Sequence, residues 1–136
     1  MLEIKNIRIA GAEAPLAVLP KEADVCWQIA DGQTGVFQKN FKIELFCGGK
    51  CVYKSKQKNT AEQRTVLPAQ SLAFGTCYEA KISVTDTRGK KAEATASFAT
   101  AYDDLPQRWI RPARHFEGGA VYFKKAFSVG EGLARA

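Results

Sequence analysis

Apolar and polar residues alternate along most of the first hundred positions. Ile7 and Ile9 flank Arg8, and Val25, Trp27 and Ile29 alternate with Asp24, Cys26 and Gln28 up to an Asp31-Gly32 turn. Phe41, Ile43 and Leu45 alternate with Lys42 and Glu44, and residues 51–55 return after Gly48-Gly49. Residues 64–67 form a short stretch closed by Pro68. Tyr78, Ala80, Ile82 and Val84 then alternate with Glu79, Lys81, Ser83 and Thr85, the cleanest pattern in the chain. After Arg88-Gly89, Ala92, Ala94, Ala96 and Phe98 share one face of the last stretch. Side chains of a strand point alternately to opposite faces, so each stretch predicts a strand with one apolar face.

Seven such strands between turn clusters, with almost no helical periodicity, predict an all-β fold. Two antiparallel sheets packed face to face bury both apolar faces, which a single sheet cannot do. A seven-stranded sandwich over residues 1–101 is the expectation. The order Gly75-Thr76-Cys77-Tyr78 just before a late strand resembles the tyrosine corner of immunoglobulin-like and fibronectin type III sandwiches, whose phenol bonds back to the preceding turn. Gly75, Tyr78, Trp27 and Phe41 are therefore expected to be structural, with Trp27 as the core aromatic of the opposite sheet.

Length and composition narrow the function. At 136 residues, 46% hydrophobic and 25% charged, the chain is an ordinary globular sequence, too short for the large barrel enzymes. It has no apolar run of membrane-spanning length, and its charged N-terminus shows no export signal, so a cytoplasmic location without membrane partners is expected. The net charge of +6 is concentrated in residues 39–64 (+5) and 105–136 (+4). Lys50, Lys54, Lys56 and Lys58 lie on polar positions without interleaved aromatics, which reads as a solvated face rather than a nucleic-acid surface. Cys47 and Cys51 flank a Gly-Gly turn, but Cys26 and Cys77 stand singly and His115 is the sole histidine. Four free structural thiols are expected, with a cross-strand disulfide as the lesser alternative and neither metal nor cofactor. No nucleophile–base set or phosphate-binding loop is visible, and His115 reads as a loop residue.

After Thr100 the character changes. Tyr102, Asp103, Asp104 and Pro106 read as a linker; Trp109-Ile110, a Pro/Arg loop and Gly118-Gly119 lead to one further strand over residues 121–129. About thirty residues with one strand cannot build a core. Residues 102–136 are expected to be a linker and the first strand of a truncated second β-sandwich domain. The unpaired strand is expected to drive homo-oligomer formation through Val121, Phe123 and Phe127. Tyr102, Trp109, Phe116 and Tyr122 are the candidate ligand-binding aromatics.

Taken in order, these short motifs resemble the N-terminal region of bacterial α-L-rhamnosidases. They run from Pro15-Leu16 through Cys26-Trp27-Gln28-Ile29, Gln38 with Phe41, Ile43 and Leu45, and Tyr53-Lys54-Ser55. Thr76 with Tyr78, Asp86 with Gly89, Phe98-Ala99-Thr100, Trp109-Ile110, and the aromatic-basic run at Tyr122, Lys124, Lys125 and Phe127 complete the series. Lys54 stands where the family has an acid, and the usual proline is not adjacent to the final strand. The resemblance implies a fibronectin III-like, non-catalytic module of a multidomain glycoside hydrolase whose inverting acid and base sit on a separate (α/α)-barrel. Its partners would be the remaining domains of that parent, and the module itself would be no enzyme. A free-standing carbohydrate- or protein-binding sandwich is the alternative, and a Lys-rich regulatory module a third.

Overall fold

The alternating stretches become seven strands in a computed structural model that describes residues 1–103 and 118–132. They are β1 (Glu3–Ile9), β2 (Asp24–Ala30), β3 (Gln38–Cys47), β4 (Lys50–Lys54), β5 (Arg64–Val66), β6 (Cys77–Asp86) and β7 (Lys91–Ala99). A three-stranded sheet has the order β1-β2-β5 and a four-stranded sheet the order β4-β3-β6-β7. All strand pairs are antiparallel. Both sheets of the expected sandwich are thus present, and β2, β3 and β6 turn their apolar faces inward, whereas β5 buries Thr65 and exposes Val66.

Between the sheets lie Val25 and Trp27 of β2, Phe41, Ile43 and Leu45 of β3, Tyr78, Ala80, Ile82 and Val84 of β6, and Phe98 of β7, all buried. Trp27 meets Phe41 edge-on with ring centroids 4.8 Å apart, and Tyr78 stacks on Phe98 at 5.6 Å. The alanines of β7 keep its inner face thin. Consequently β1 and β7, from opposite sheets, come within 8 Å at their Cα atoms, less than the usual ~10 Å between packed sheets.

Of three register shifts in the ladders, two bring side chains into the core. In β1 the ladder to β2 shifts between Lys5 and Arg8, where Asn6 has φ of 50°, so Ile4 and Ile9 both pair with core-facing positions of β2. In β3 the ladder to β6 shifts between Gln38 and Asn40, which turns Gln38 into the interior. Its carboxamide oxygen accepts the indole N–H of Trp27 at 2.9 Å. Its nitrogen donates to the carbonyls of Thr60 and Glu62 at 3.1 and 2.8 Å, pinning the β4–β5 connection.

The tyrosine corner is formed. The Tyr78 hydroxyl accepts the Ala73 amide at 2.7 Å, and Thr100 Oγ1 accepts the Thr76 amide at 3.0 Å while donating to the Ala73 carbonyl. Replacing Tyr78 by Phe leaves the ring stack intact and orphans the Ala73 amide. The expected loss is about 1–3 kcal/mol in urea unfolding. A Tyr78→Phe variant as stable as the parent chain would show that the amide finds water instead.

The four thiols are unbridged. Cys47 is opposite Lys50 and packs against the core, whereas Cys51 is opposite Phe46 and exposed. Adjacent ladder positions point to opposite faces, so the two thiols do not confront one another across the turn.

Contacts divide the chain into Met1–Leu105 and Pro106–Ala136. Residues 118–130 carry no strand, including the described segment 121–129 for which the apolar pattern predicts one. Alternation supplies an apolar face, but a strand also needs a ladder partner for its amides, and this segment pairs with none among the described residues.

Candidate functional site

The four candidate ligand-binding aromatics do not converge on a described site. Trp109 and Phe116 lie outside the described residues. Tyr122 is exposed on a segment without secondary structure. Tyr102 is two-thirds exposed, yet its ring lies against Gly75. A Cβ at Gly75 would stand 2.9 Å from Tyr102 Cε1, and Gly75 has φ of +60°. Glycine is required there twice over: for the left-handed backbone and for the ring's approach. Tyr102 therefore has a packing role at the point where the chain leaves the sandwich.

The expected structural residues all take core or turn positions. Trp27, Phe41 and Tyr78 are buried, and Gly75 makes the turn before β6. Lys58 reaches over the Phe41 ring at 5.8 Å and donates to Thr65 Oγ1 at 3.3 Å, so this member of the lysine-rich stretch serves the fold.

The outer face of the four-stranded sheet carries a shallow depression of about 280 Å³, lined by Asn40, Lys42, Glu44, Ser83, Thr85 and Glu93 among others. Charges of both signs alternate across it. Lys81 meets Glu93 at 2.9 Å, and Ser83 Oγ donates to the same carboxylate at 3.2 Å. No aromatic ring lines the depression. A sugar face needs an apolar stacking surface with polar neighbours, and this surface has only the second.

Opposite the tyrosine corner, a guanidinium ties the two sheets together. Asp86, fully buried at the end of β6, accepts the amides of Arg88 and Lys90 on Oδ1 at 2.8 and 2.9 Å. Arg88 Nη2 bridges Asp86 Oδ2 at 2.8 Å and Asp31 Oδ2 at 2.7 Å, while Nη1 donates to Gln33 Oε1. Asp31 comes directly after β2, so the β6–β7 hairpin is clasped to the opposite sheet; the terminal ammonium of Met1 is 3.7 Å from Asp31.

Burial pushes the Asp86 carboxyl up, but the Arg88 guanidinium and the two amides outweigh it and hold the group below the ordinary carboxylate range. For Asp31 the Arg88 hydrogen bond dominates in the same direction. A general acid of a glycosidase needs a carboxyl raised toward neutrality; these two are held ionised. Both carboxylates are instead engaged by the Arg88 guanidinium, which ties them into the fold.

Stability therefore depends on pH with a definite sign. With folded pKa values below the unfolded ones, the clasp contributes fully above the unfolded carboxylate range of about 4. That contribution is lost as pH falls through the folded values. Urea unfolding of the chain should give flat stability above about pH 5 and a steep decline below about pH 4, as linkage requires of carboxylates with lowered pKa. The double variant Asp31→Asn, Asp86→Asn should be weaker at neutral pH and flatter in acid; parallel curves for the two proteins would sink the assignment.

The sequence shows the Asp31-Gly32 and Asp86-x-x-Gly89 turns separately, but nothing in one dimension joins them through Arg88. No group of three or more Cys, His, Asp and Glu poised for a metal occurs among the described residues. Nor is any helix among them long and apolar enough to cross a membrane.

Known proteins give this geometry a context. No curated protein matches the sequence significantly. In structure, the chain is similar to the Streptomyces avermitilis alpha-L-rhamnosidase complexed with L-rhamnose, at 18% identity and a TM-score of 0.65, over 74% of this chain and 11% of that one. It is likewise similar to the alpha-L-rhamnosidase from Dictyoglumus thermophilum, at 15% identity and a TM-score of 0.66, over 73% of this chain and 12% of that one. CopC from Methylosinus trichosporium OB3b shares the fold at 21% identity and a TM-score of 0.54, over 79% of this chain and all of that one. The matched part is thus a small share of either rhamnosidase but the whole of CopC. In sequence, residues 4–104 match the model of the N-terminal immunoglobulin domain of Rha78A-like proteins. With its two-sheet sandwich, buried tyrosine corner and matched span covering most of its length, the chain belongs to the Rha78A-like N-terminal immunoglobulin domain family.

Proposed function

We propose that the chain is the non-catalytic N-terminal accessory module of an α-L-rhamnosidase-type glycoside hydrolase acting on rhamnose-containing glycans. It positions neighbouring domains and contacts substrate or a partner subunit. The observation that carries this reading is the family match over residues 4–104, in a fold that occupies 11–12% of the rhamnosidases it resembles. The structural role of the two buried carboxylates supports it, because the sandwich then has chemistry to position rather than to perform.

Residues 102–136 belong to the same reading as a linker and the opening of a second β domain, whose sheet would supply the ladder that residues 121–129 lack. The exposed Val121, Phe123 and Phe127 support self-association of the 136-residue chain. Sedimentation velocity should show a concentration-dependent dimer, and a strict monomer at all concentrations would remove this part. Cytoplasmic residence is supported by four unbridged thiols, Cys51 and Cys77 of which are exposed.

The test is to sequence the gene past the codon for Ala136 and express the full reading frame. The parent should hydrolyse an aryl α-L-rhamnoside while the 136-residue chain leaves it untouched. A parent inert toward aryl rhamnosides would overturn the assignment. A free-standing binding sandwich is the second reading, favoured by CopC, in which this fold makes up the entire chain. Calorimetric titration with rhamnose-containing oligosaccharides would give heat under that reading, and an absence of heat would remove it.

A further inference from the structure

Large apolar side chains are exposed at one end of the sandwich, around the point where the chain leaves it. The last described stretch of Met1–Leu105 runs between two neighbours. On one side the Val18 amide donates to the Ala99 carbonyl at 3.0 Å, and the Ala101 amide to the Val18 carbonyl at 2.9 Å. On the other the Gly75 amide donates to the Ala101 carbonyl at 2.8 Å, and the Thr100 amide to the Thr76 carbonyl at 2.9 Å. Leu19 comes just after one neighbour and Phe74 just before the other, while the Tyr102 ring lies on Gly75 between them. Leu16, Leu19 and Phe74 are each about half exposed, at 50%, 45% and 45%, and Tyr102 is 67% exposed.

These four side chains need not be exposed for the fold's sake. Each sits beside a backbone that the tyrosine corner or the hydrogen bonds of residues 99–101 already hold, so the sandwich is complete beneath them. Exposed apolar side chains grouped in one place mark a surface that something covers. The exit is also stiff, because residues 99–101 are hydrogen-bonded on both flanks and Tyr102 is packed. The chain is therefore held in place up to Tyr102, beside the patch.

We propose that Leu16, Leu19, Phe74 and Tyr102 form the docking face for the next domain along the parent polypeptide. This inference rests on the reading of the chain as a module of a longer enzyme. The occupant is chosen by continuity: the patch surrounds the covalent exit, and a domain tethered there meets it at an effective concentration of about a millimolar. A second copy or a soluble glycan must find it from solution. The occupant's face is apolar and uncharged, since none of the four side chains offers a charge to pair. With Tyr102 held at the joint, the sandwich sets its neighbour's orientation instead of trailing on a loose tether.

Hydroxyl-radical labelling of the 136-residue chain and of the full-length parent, read residue by residue, tests this. Labelling of Leu19 and Phe74 should fall about fivefold in the parent, which corresponds to a face covered about four-fifths of the time. Phe37, exposed beside the Asp31–Arg88 clasp at the other end, is the internal control and should not change. In a parent carrying Leu19→Lys and Phe74→Lys, labelling of Tyr102 should return to the level of the 136-residue chain. Equal labelling of Leu19 and Phe74 in chain and parent overturns the proposal. So does a fall that tracks concentration in the 136-residue chain, which means a second copy, or one produced by rhamnose-containing oligosaccharide, which means a sugar site. The aryl-rhamnoside assay on the same preparation separates the two ideas: an active parent with an uncovered patch defeats this inference alone. An inert parent with a covered patch defeats the glycosidase reading alone.

Discussion

Phe41→Ala is expected to remove about 3–5 kcal/mol of folding stability, the range for truncating a buried phenylalanine. The ring is 1% exposed, stands edge-on to Trp27, and lies under the Lys58 ammonium. Phe41 also exchanges two backbone hydrogen bonds with Lys58, at 3.0 and 2.9 Å, which fix the connection after β4. Truncation leaves a void between two sheets whose ladders resist collapse, so little of the lost contact is recovered. A domain of this size has about 5–15 kcal/mol in all, and the variant should unfold at much lower urea. The larger Phe41→Leu should lose less than half as much. If Phe41→Ala cost under about 1 kcal/mol, the sandwich would be repacking freely, contrary to the rigid interior that close packing implies.

Gln38→Leu should be the next most damaging change, at about 2–4 kcal/mol, given about 1–3 kcal/mol for each buried polar group left unpaired. The substitution removes the acceptor for the Trp27 indole and both donors to the carbonyls of Thr60 and Glu62. Adding Trp27→Phe to this background should recover part of the loss, because it deletes the orphaned N–H. In the wild-type background the same Trp27→Phe change should destabilise. A double-mutant cycle by urea unfolding reads the coupling directly; additivity would mean that water takes the place of Gln38.

The contrast between Phe41 and Gln38 shows how far the one-dimensional pattern reaches. Phe41, Ile43 and Leu45 keep strict period two in a central strand buried on one face, so their alternation carries both the strand and its inward side. Gln38 is out of phase with them, and simple alternation from Phe41 places it outside. The bulge between Gln38 and Asn40 reverses that, and a bulge is a property of pairing with β6. The tyrosine corner is legible because its parts lie within six residues, from Ala73 to Tyr78. The Asp31–Arg88–Asp86 clasp joins Arg88 to an acid 57 residues away and is not. β5 misleads locally: Thr65 is buried and Val66 is 60% exposed, since its strand direction is set by β2 and not by its own hydrophobicity. Of the candidate ligand residues, Tyr102 is exposed as a binding aromatic would be, but its seat on Gly75 depends on a turn made far earlier in the chain.

The side-by-side run of residues 15–18 along residues 99–101 has a mechanical meaning. Val18 and Thr100 are bridged in parallel, with bonds from Ala99 to Pro15, Val18 to Ala99 and Ala101 to Val18. Tension applied between the N-terminal side of Pro15 and the C-terminal side of Ala101 draws the two segments past each other along their length. The bonds are then strained together instead of peeled one at a time. A force carried between those two points would meet this latch before it reached β2 or β7, and the rate at which the latch slips would set the module's lifetime under such a load.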